Sequence, residues 1–221
     1  MSVFDIIGPR MVGPSSSHTA GALRLGLLAR GVLGRTPERA RVGLHGSFAT
    51  TYRGHGTDRA VAAGLLGMAP DDQRIPNSLE VARGHGLELT FEPADLGPGA
   101  HPASLSFDLE AGGEKATMVG ASVGGGSVRV IEVNGREVDL TGEYDTLIVL
   151  ARDIPGTTAA ATRLLAEKGV NIAFLEVSRE RRGREATMLI QADQAIPDEV
   201  LAGVQAFDWV RYARRLRKVT D

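Results

Sequence analysis

The period of apolar positions changes several times along the chain, and each change marks an element. Over 20–32, Ala22, Leu23, Leu25, Leu27 and Leu28 cover most of a helical circumference, which predicts a buried helix. Serine is a preferred N-cap, so this helix should begin within serines 15–17, and Gly34 and Pro37 should end it. Val42 and Leu44 share one face of a short strand over 41–45. A glycine-rich stretch over 46–56 follows. A second helix is predicted over about 58–68, capped by Thr57 or Asp58 and closed by Pro70-Asp71-Asp72. Strands are predicted over 86–92, 103–110, 114–122 and 127–133. Gly112-Gly113 makes a hairpin turn, and Gly124-Gly125-Gly126 breaks the last pair, as a bulge or close backbone approach would.

Residues 134–144 are polar and read as a linker. One domain is therefore expected at 1–137, a second at 145–221, and the connection at about 138–144. In the second domain the pattern becomes a compact β-α-β-β-α-β series. Strands over 146–151, 170–178, 186–192 and 209–213 alternate with helices over 157–168 and 197–206, the latter starting on its proline. Gly169 ends the first helix, and Arg181-Arg182-Gly183 is a charged turn. That order is the ferredoxin-like arrangement.

Composition narrows the function classes. The chain has 221 residues with 43% hydrophobic and 24% charged positions, ordinary for a chain that buries a core. A formal charge of −2 gives no reason to expect nucleic acid or an anionic membrane as partner. No apolar run approaches the roughly 18 residues that span a bilayer. The opening Met1-Ser2-Val3-Phe4-Asp5 lacks the basic and apolar regions of a signal peptide, so a cytoplasmic location is expected. The absence of cysteine excludes disulfides, a cysteine nucleophile and thiolate ligands from this chain. The only lysines, Lys115, Lys168 and Lys218, lie outside any Gly/Ser/His-rich segment. Pyridoxal phosphate, which needs a Schiff-base lysine, is therefore disfavoured.

Four segments carry candidate chemistry. Gly13-Pro14-Ser15-Ser16-Ser17-His18-Thr19 precedes a helix, where unpaired N–H groups and hydroxyls suit a carboxylate or phosphate. The plainer reading is an over-capped helix start. His45-Gly46-Ser47 and Gly54-His55-Gly56-Thr57-Asp58 flank a loop whose glycines let the backbone approach a ligand. Imidazole is the usual acid or base near neutral pH, and Asp58 could orient one. The histidine spacing matches no standard zinc pattern. His101-Pro102 follows another Gly/Pro-rich loop, and His85 reads as a surface turn residue. Arg152-Asp153-Ile154-Pro155-Gly156 joins a strand to a helix, as a plain tight turn or as an anion site for an amino-acid carboxylate. A Ser/His hydrolase is disfavoured. Ser17 and His18 are sequence neighbours, and no nucleophile elbow of the form G-x-S-x-G is expected.

Together and in this order, these segments resemble the β part of the iron–sulfur L-serine dehydratases. Gly13–Thr19 is similar to that family's Gly-Pro-Ser-Ser-Ser-His-Thr signature, and the His45 and His55 segments to its second and third. Gly124-Gly125-Gly126 resembles its triple glycine, and the C-terminal domain with Asp153-x-Pro155-Gly156 resembles an ACT domain. Two positions differ. Ala103 stands where the family often has asparagine after its His-Pro pair, and Tyr52-Arg53 is bulkier than its small-plus-lysine pattern.

The resemblance implies an α+β protein: a mixed α/β serine-dehydratase β domain followed by a ferredoxin-like (βαββαβ) ACT domain. It implies a partner α subunit whose cysteines ligate a 4Fe-4S cluster, with no metal held by this chain. The reaction implied is conversion of L-serine to pyruvate and ammonia. His55 would be the base, His18 and Asp58 its catalytic companions, and Ser15, Ser16, Ser17, Thr19, His45, Ser47 and Thr57 the substrate-binding set. L-serine as effector would bind at Arg152, Asp153, Ile154, Pro155 and Gly156, with Asn171 and Ile172 supplied by a second ACT domain. The alternative is a non-catalytic, amino-acid-sensing regulatory subunit.

Overall fold

The structure is a computed structural model that describes residues 10–179, 181 and 183–220. The opening pentapeptide and Arg182 of the charged turn lie outside the described residues. The chain divides into two compact units, one reaching to Thr141 and joined by Val219 and Thr220, the other Gly142–Lys218.

In the first unit a π-helical turn, Ser16–Gly21, runs into α1 (Ala22–Leu33), which ends on Gly34 in the left-handed conformation (φ 87°). Then come β1 (Arg39–Leu44), a one-turn helix α2 (Ser47–Thr51) and α3 (Thr57–Leu65). A 3₁₀ turn, Ile75–Asn77, leads into α4 (Ser78–Gly84), and β2 (Glu88–Pro93) follows. The series ends with β3 (Ser104–Ala111), β4 (Glu114–Gly124), β5 (Ser127–Val133) and β6 (Arg136–Leu140). The strands form one sheet in the order β2-β1-β3-β4-β5-β6; only β1 and β2 are parallel. Their connection is the excursion through α2, α3 and α4, as a parallel pair requires a crossover.

Alternation gives the sheet two unlike faces. Ala40, Val42, Leu44, Leu105, Phe107, Leu109 and Met118 are buried under the helices. The other face carries exposed ion pairs such as Arg41–Asp108 (2.8 Å) and Arg129–Asp139 (2.7 Å), each worth about 0–1 kcal/mol. Glycine sets how closely the layers approach. A Cβ on Gly120 of β4 would lie 2.7 Å from the Leu25 side chain of α1. At the crossing of α1 and α3, a Cβ on Gly64 would meet the Leu23 carbonyl and come within 2.9 Å of Gly26 Cα. Both neighbours there are backbone, so neither can swing aside.

Three sequence expectations need correction. Residues 136–140 are strand β6, not linker. Asn134 (φ 51°) and Gly135 (φ 74°) are both left-handed and make the tight hairpin turn from β5. The polarity of β6 belongs to an edge strand with one solvated side. The second helix begins at Thr57 with Gly56 (φ 66°) as its cap, so neither Thr57 nor Asp58 caps it. Helices α2 and α4 were unforeseen because five and seven residues carry too short a period to read.

The second unit is β7 (Asp145–Arg152), α5 (Thr157–Glu167), β8 (Ile172–Arg179), β9 (Glu185–Ala192), α6 (Asp198–Gln205) and β10 (Val210–Leu216). Its antiparallel sheet has the order β10-β7-β9-β8, the ferredoxin-like topology. Leu147, Val149, Met188 and Ile190 meet Ala161, Leu165, Val200 and Val204 of the helices in one core. Among the described residues no helix is long and apolar enough to cross a membrane.

The Gly26–Gly64 crossing makes a stability prediction. Alanine at 64 gains about 0.8–1.0 kcal/mol of helix propensity but overpacks backbone at a cost of about 1–3 kcal/mol. Gly64→Ala should therefore lower the urea midpoint. Gly84→Ala, with open space around its Cβ, should leave the midpoint unchanged or raise it.

Candidate active site

The serine cluster becomes a π-helical turn because Ser15, in extended backbone, accepts the His18 N–H on its Oγ at 3.1 Å. Such turns bulge the helix and concentrate at functional sites. Gly21 closes the turn against β4, where a Cβ would strike the Ser122 side chain. The hydroxyls form a short run, Ser15 Oγ to Ser17 Oγ at 3.4 Å and Ser17 Oγ to His18 Nδ1 at 3.1 Å. Ser16 is half-buried in the same turn.

His18 meets the first turn of another segment. Its ring is edge-on to Phe48 of α2 (centroids 5.0 Å apart) and lies 4.9 Å from the ring of His55. Sequence separates the two histidines by 37 positions; the α1–α3 crossing brings their helix starts together. Burial pushes the His18 pKa below its ordinary value, and the charge of His55 pushes it the same way. Both causes disfavour the charged form of His18.

His55 Nδ1 faces the carbonyl of Thr51 at 3.3 Å. A carbonyl only accepts, so the proton sits on Nδ1 and Nε2 keeps its lone pair. This overturns the expected role of Asp58. Its carboxylate takes the Arg59 N–H at 2.8 Å, and the group that orients His55 is the Thr51 carbonyl. Thr51 lies one helical turn before His55, and its own hydroxyl donates to the Ser47 carbonyl at 2.7 Å.

Thr19 and Thr57 also depart from expectation. They are 2% and 0% exposed, and each hydroxyl is already given to a backbone carbonyl: Thr19 to His55, Thr57 to His18, both at 2.9 Å. They build the site and do not line it. Gly13 makes room for this, since a Cβ there would collide with Thr19. His45 Nδ1 lies 3.3 Å from both the Ala94 carbonyl and the Leu96 N–H, donating to the first in one tautomer or accepting from the second in the other. The Ser47 hydroxyl and N–H both donate to the Pro102 carbonyl (3.3 and 2.8 Å). These two residues hold the neighbouring loops.

Surrounding residues account for the two departures from the family pattern. Tyr52 lies against Phe91 (6.1 Å) with the Arg53 guanidinium over its ring (5.3 Å). Ala103 is buried, and its N–H donates to His101 Nδ1 at 3.1 Å. The triple glycine is a loop with φ of 110°, 60° and 85°, and the buried Arg24 of α1 donates to the Gly126 carbonyl at 2.8 Å. Sequence reading missed Phe48, Thr51 and Arg24. Only the four-residue step from Thr51 to His55 was a usable signal. Contrary to expectation, Gly120-Ala121-Ser122-Val123-Gly124 fits the elbow pattern. Ser122 is 1% exposed within β4, and the chain continues into a strand, so it is no strand-to-helix nucleophile.

In the second unit, the turn after β7 is bound to its neighbours. Arg152 pairs with Asp208 at 2.9 Å, and Asp153 accepts from Arg179 (3.1 Å) and the Gly183 N–H (2.9 Å). Ile154, Pro155 and Gly156 are exposed, Gly156 in the left-handed conformation (φ 92°) that starts α5. Asn171 donates to Asp193 at 2.6 Å. An open depression of about 460 Å³ is lined by Thr162, Arg163, Asn171 and Ile172 along α5; residues 152–156 do not line it.

Residues 2–132 match the family model described as serine dehydratase beta chain, and residues 146–206 match the ACT domain. A probable L-serine dehydratase beta chain of Bacillus subtilis is 42% identical, with 90% of each chain covered. An L-serine dehydratase beta chain of Peptoniphilus asaccharolyticus is 35% identical over 96% of this chain and 97% of that one. A D-3-phosphoglycerate dehydrogenase of Methanocaldococcus jannaschii is 31% identical over 46% of this chain and 19% of its own length.

The paired imidazoles predict a pH dependence. Because the folded pKa of His18 is depressed, only the unfolded chain takes up its proton as pH falls through about 6.5. The contribution of His18 to stability is thus lost from that pH down to its folded value. Ring titration by NMR should place His18 below the ordinary value, and His55→Gln should move it upward.

Proposed function

Because this chain belongs to the serine dehydratase beta-chain family and carries an ACT domain, we propose that it supplies the proton-transfer half of an L-serine ammonia-lyase. The observation that carries this reading is the His18–His55 apposition at 4.9 Å, with His55 Nε2 unprotonated beside a hydroxyl-rich helix start.

The reaction removes the Cα proton and the β-hydroxyl of L-serine; the aminoacrylate formed then tautomerises and hydrolyses to pyruvate and ammonia. The hydroxyls of Ser15, Ser16 and Ser17 at the start of the π-turn bind the carboxylate. His55 Nε2 takes the Cα proton, and its Nδ1–H bond to the Thr51 carbonyl steadies the imidazolium that results. His18, whose charged form burial and the neighbouring His55 disfavour, offers a hydrogen bond beside it.

The donors of this chain do not fit an iron–sulfur cluster. The sequence has no cysteine, and among the described residues no three His, Asp or Glu gather to hold a metal. In this reading a 4Fe-4S cluster belongs to the cysteines of a partner α subunit, no pyridoxal phosphate takes part, and the complex is cytoplasmic. A regulatory chain without catalytic residues is the competing reading, favoured by the match of part of the sequence to a protein named for a different reaction. Anaerobic co-expression with a cysteine-bearing partner and a pyruvate assay separates the two. His55→Ala should lower kcat by about 10²–10⁴ with a smaller change in KM. If His18 and His55 variants alter only activation by serine, the regulatory reading replaces this one.

The ACT domain supplies amino-acid sensing and self-association. Edge strand β8 exposes Phe174 (57%), Leu175 (43%) and Val177 (48%) beside an unpaired backbone edge, which supports pairing with a second copy. The depression at Asn171 and Ile172 adjoins the start of β8, where a second copy would cover it. Leu175→Glu should give a smaller species by sedimentation and remove the heat of serine binding seen in calorimetry. Serine heat that persists in a monomeric variant counts against a shared effector site.

A further inference from the structure

Two hydroxyls cross between the segments that carry the imidazoles. Thr19 immediately follows His18 and donates to the carbonyl of His55; Thr57 lies two residues beyond His55 and donates to the carbonyl of His18. Each threonine thus reaches across to the other histidine's backbone. His55 precedes the left-handed Gly56 and lies outside α3, and the Arg59 N–H that could have reached back is held by Asp58. His18 sits inside the π-turn.

The donors of these part-buried bonds are themselves buried, which makes the bonds directional constraints. Thr19 and Thr57 are 2% and 0% exposed, so no bulk water can replace either donor. The packing around them is also committed. Gly13 lies against Thr19 with no room for a Cβ, and Thr57 takes part in α3, whose Gly64 touches Gly26 of α1. The helix crossing sets the coarse approach of the two segments. The crossed hydroxyl bonds act at the two histidines themselves.

Resting on the reading of His18 and His55 as reaction residues, we propose that Thr19 and Thr57 are positioning residues whose crossed hydroxyl–carbonyl bonds fix the separation of the two imidazoles for the reaction. Valine at either site keeps the shape and removes the donor; serine keeps the donor. Burial first and the charge of His55 second lower the His18 pKa, and both weaken if the rings move apart and the segments loosen.

The test uses Thr19→Val, Thr57→Val, Thr19→Ser and Thr57→Ser, each as the full chain for NMR and in complex with the cluster-bearing partner for kinetics. Thermal melts confirm that each is folded. In the valine variants the His18 ring should titrate closer to its ordinary value. Their kcat should fall by about 10- to 100-fold, the scale of a small misplacement of reacting groups, with KM within about threefold. The serine variants should restore both. Valine variants with wild-type His18 titration, or a fall in kcat that serine does not restore, would overturn the proposal. His55→Ala in the same assay keeps the two ideas apart. If it retains kcat, the reading of the site fails; if it loses kcat while the valine variants retain it, the clasp alone fails.

Discussion

The close contact of α1 with α3 is the constraint on which the N-terminal domain rests. Helices usually pack 8–10 Å apart, with side chains filling the gap. Here Gly26 and Gly64 leave backbone on backbone, and the alternative residue with the smallest side chain already collides. The close contact lies at Gly26, early in α1, and at Gly64, next to the end of α3, and the segments before the two helices meet at His18 and His55. Those segments hold the π-turn with His18 on one side and the His55 loop on the other. The sheet supplies the floor, where Gly120 admits Leu25 and Gly21 admits Ser122. Small residues at these points are thus a condition of the site's geometry, although none of them carries a reactive group.

What the contact assembles is half-buried, and burial decides the electrostatics. Desolvation disfavours a charged His18, and the neighbouring His55 adds to that. Backbone carbonyls do the orienting that a carboxylate does in many acid–base sites: Thr51 for His55, with Asp58 turned to the adjacent N–H. A carbonyl fixes the tautomer without bringing the full charge of a carboxylate.

The second domain follows a different logic. Its core is complete on the helix side of the sheet, where Leu147, Val149, Met188 and Ile190 are fully buried. Strand β8 lies beyond the reach of the helices. Leu175 and Val177 pair with Ile190 and Met188 in register, yet stay 43% and 48% exposed. An edge that places apolar side chains beside unpaired backbone groups is costly for a monomer and useful for an assembly. The bonds that hold Asp153 to Arg179 and Gly183 also tie the β7–α5 turn to the β8–β9 hairpin.

The sequence by itself determined the larger elements and their kind. Periods of 3.6 and 2 over ten or so residues locate α1, α5 and the long strands, because burial of one face imposes that spacing. It also determined the motif residues, since Ser15–His18 and His55 sit in strings too unusual for packing to explain. It did not determine the one-turn helix α2, or β6, whose alternation is blurred by an exposed edge. Nor did it assign roles within the motifs. Thr19 and Thr57 looked like ligands for a substrate and are buried bonds between segments; Asp58 looked like the partner of His55 and serves Arg59. The reason is physical. A hydroxyl or carboxylate has the same chemistry in either role, and only the three-dimensional path of distant backbone decides which donor or acceptor lies within 3 Å of it.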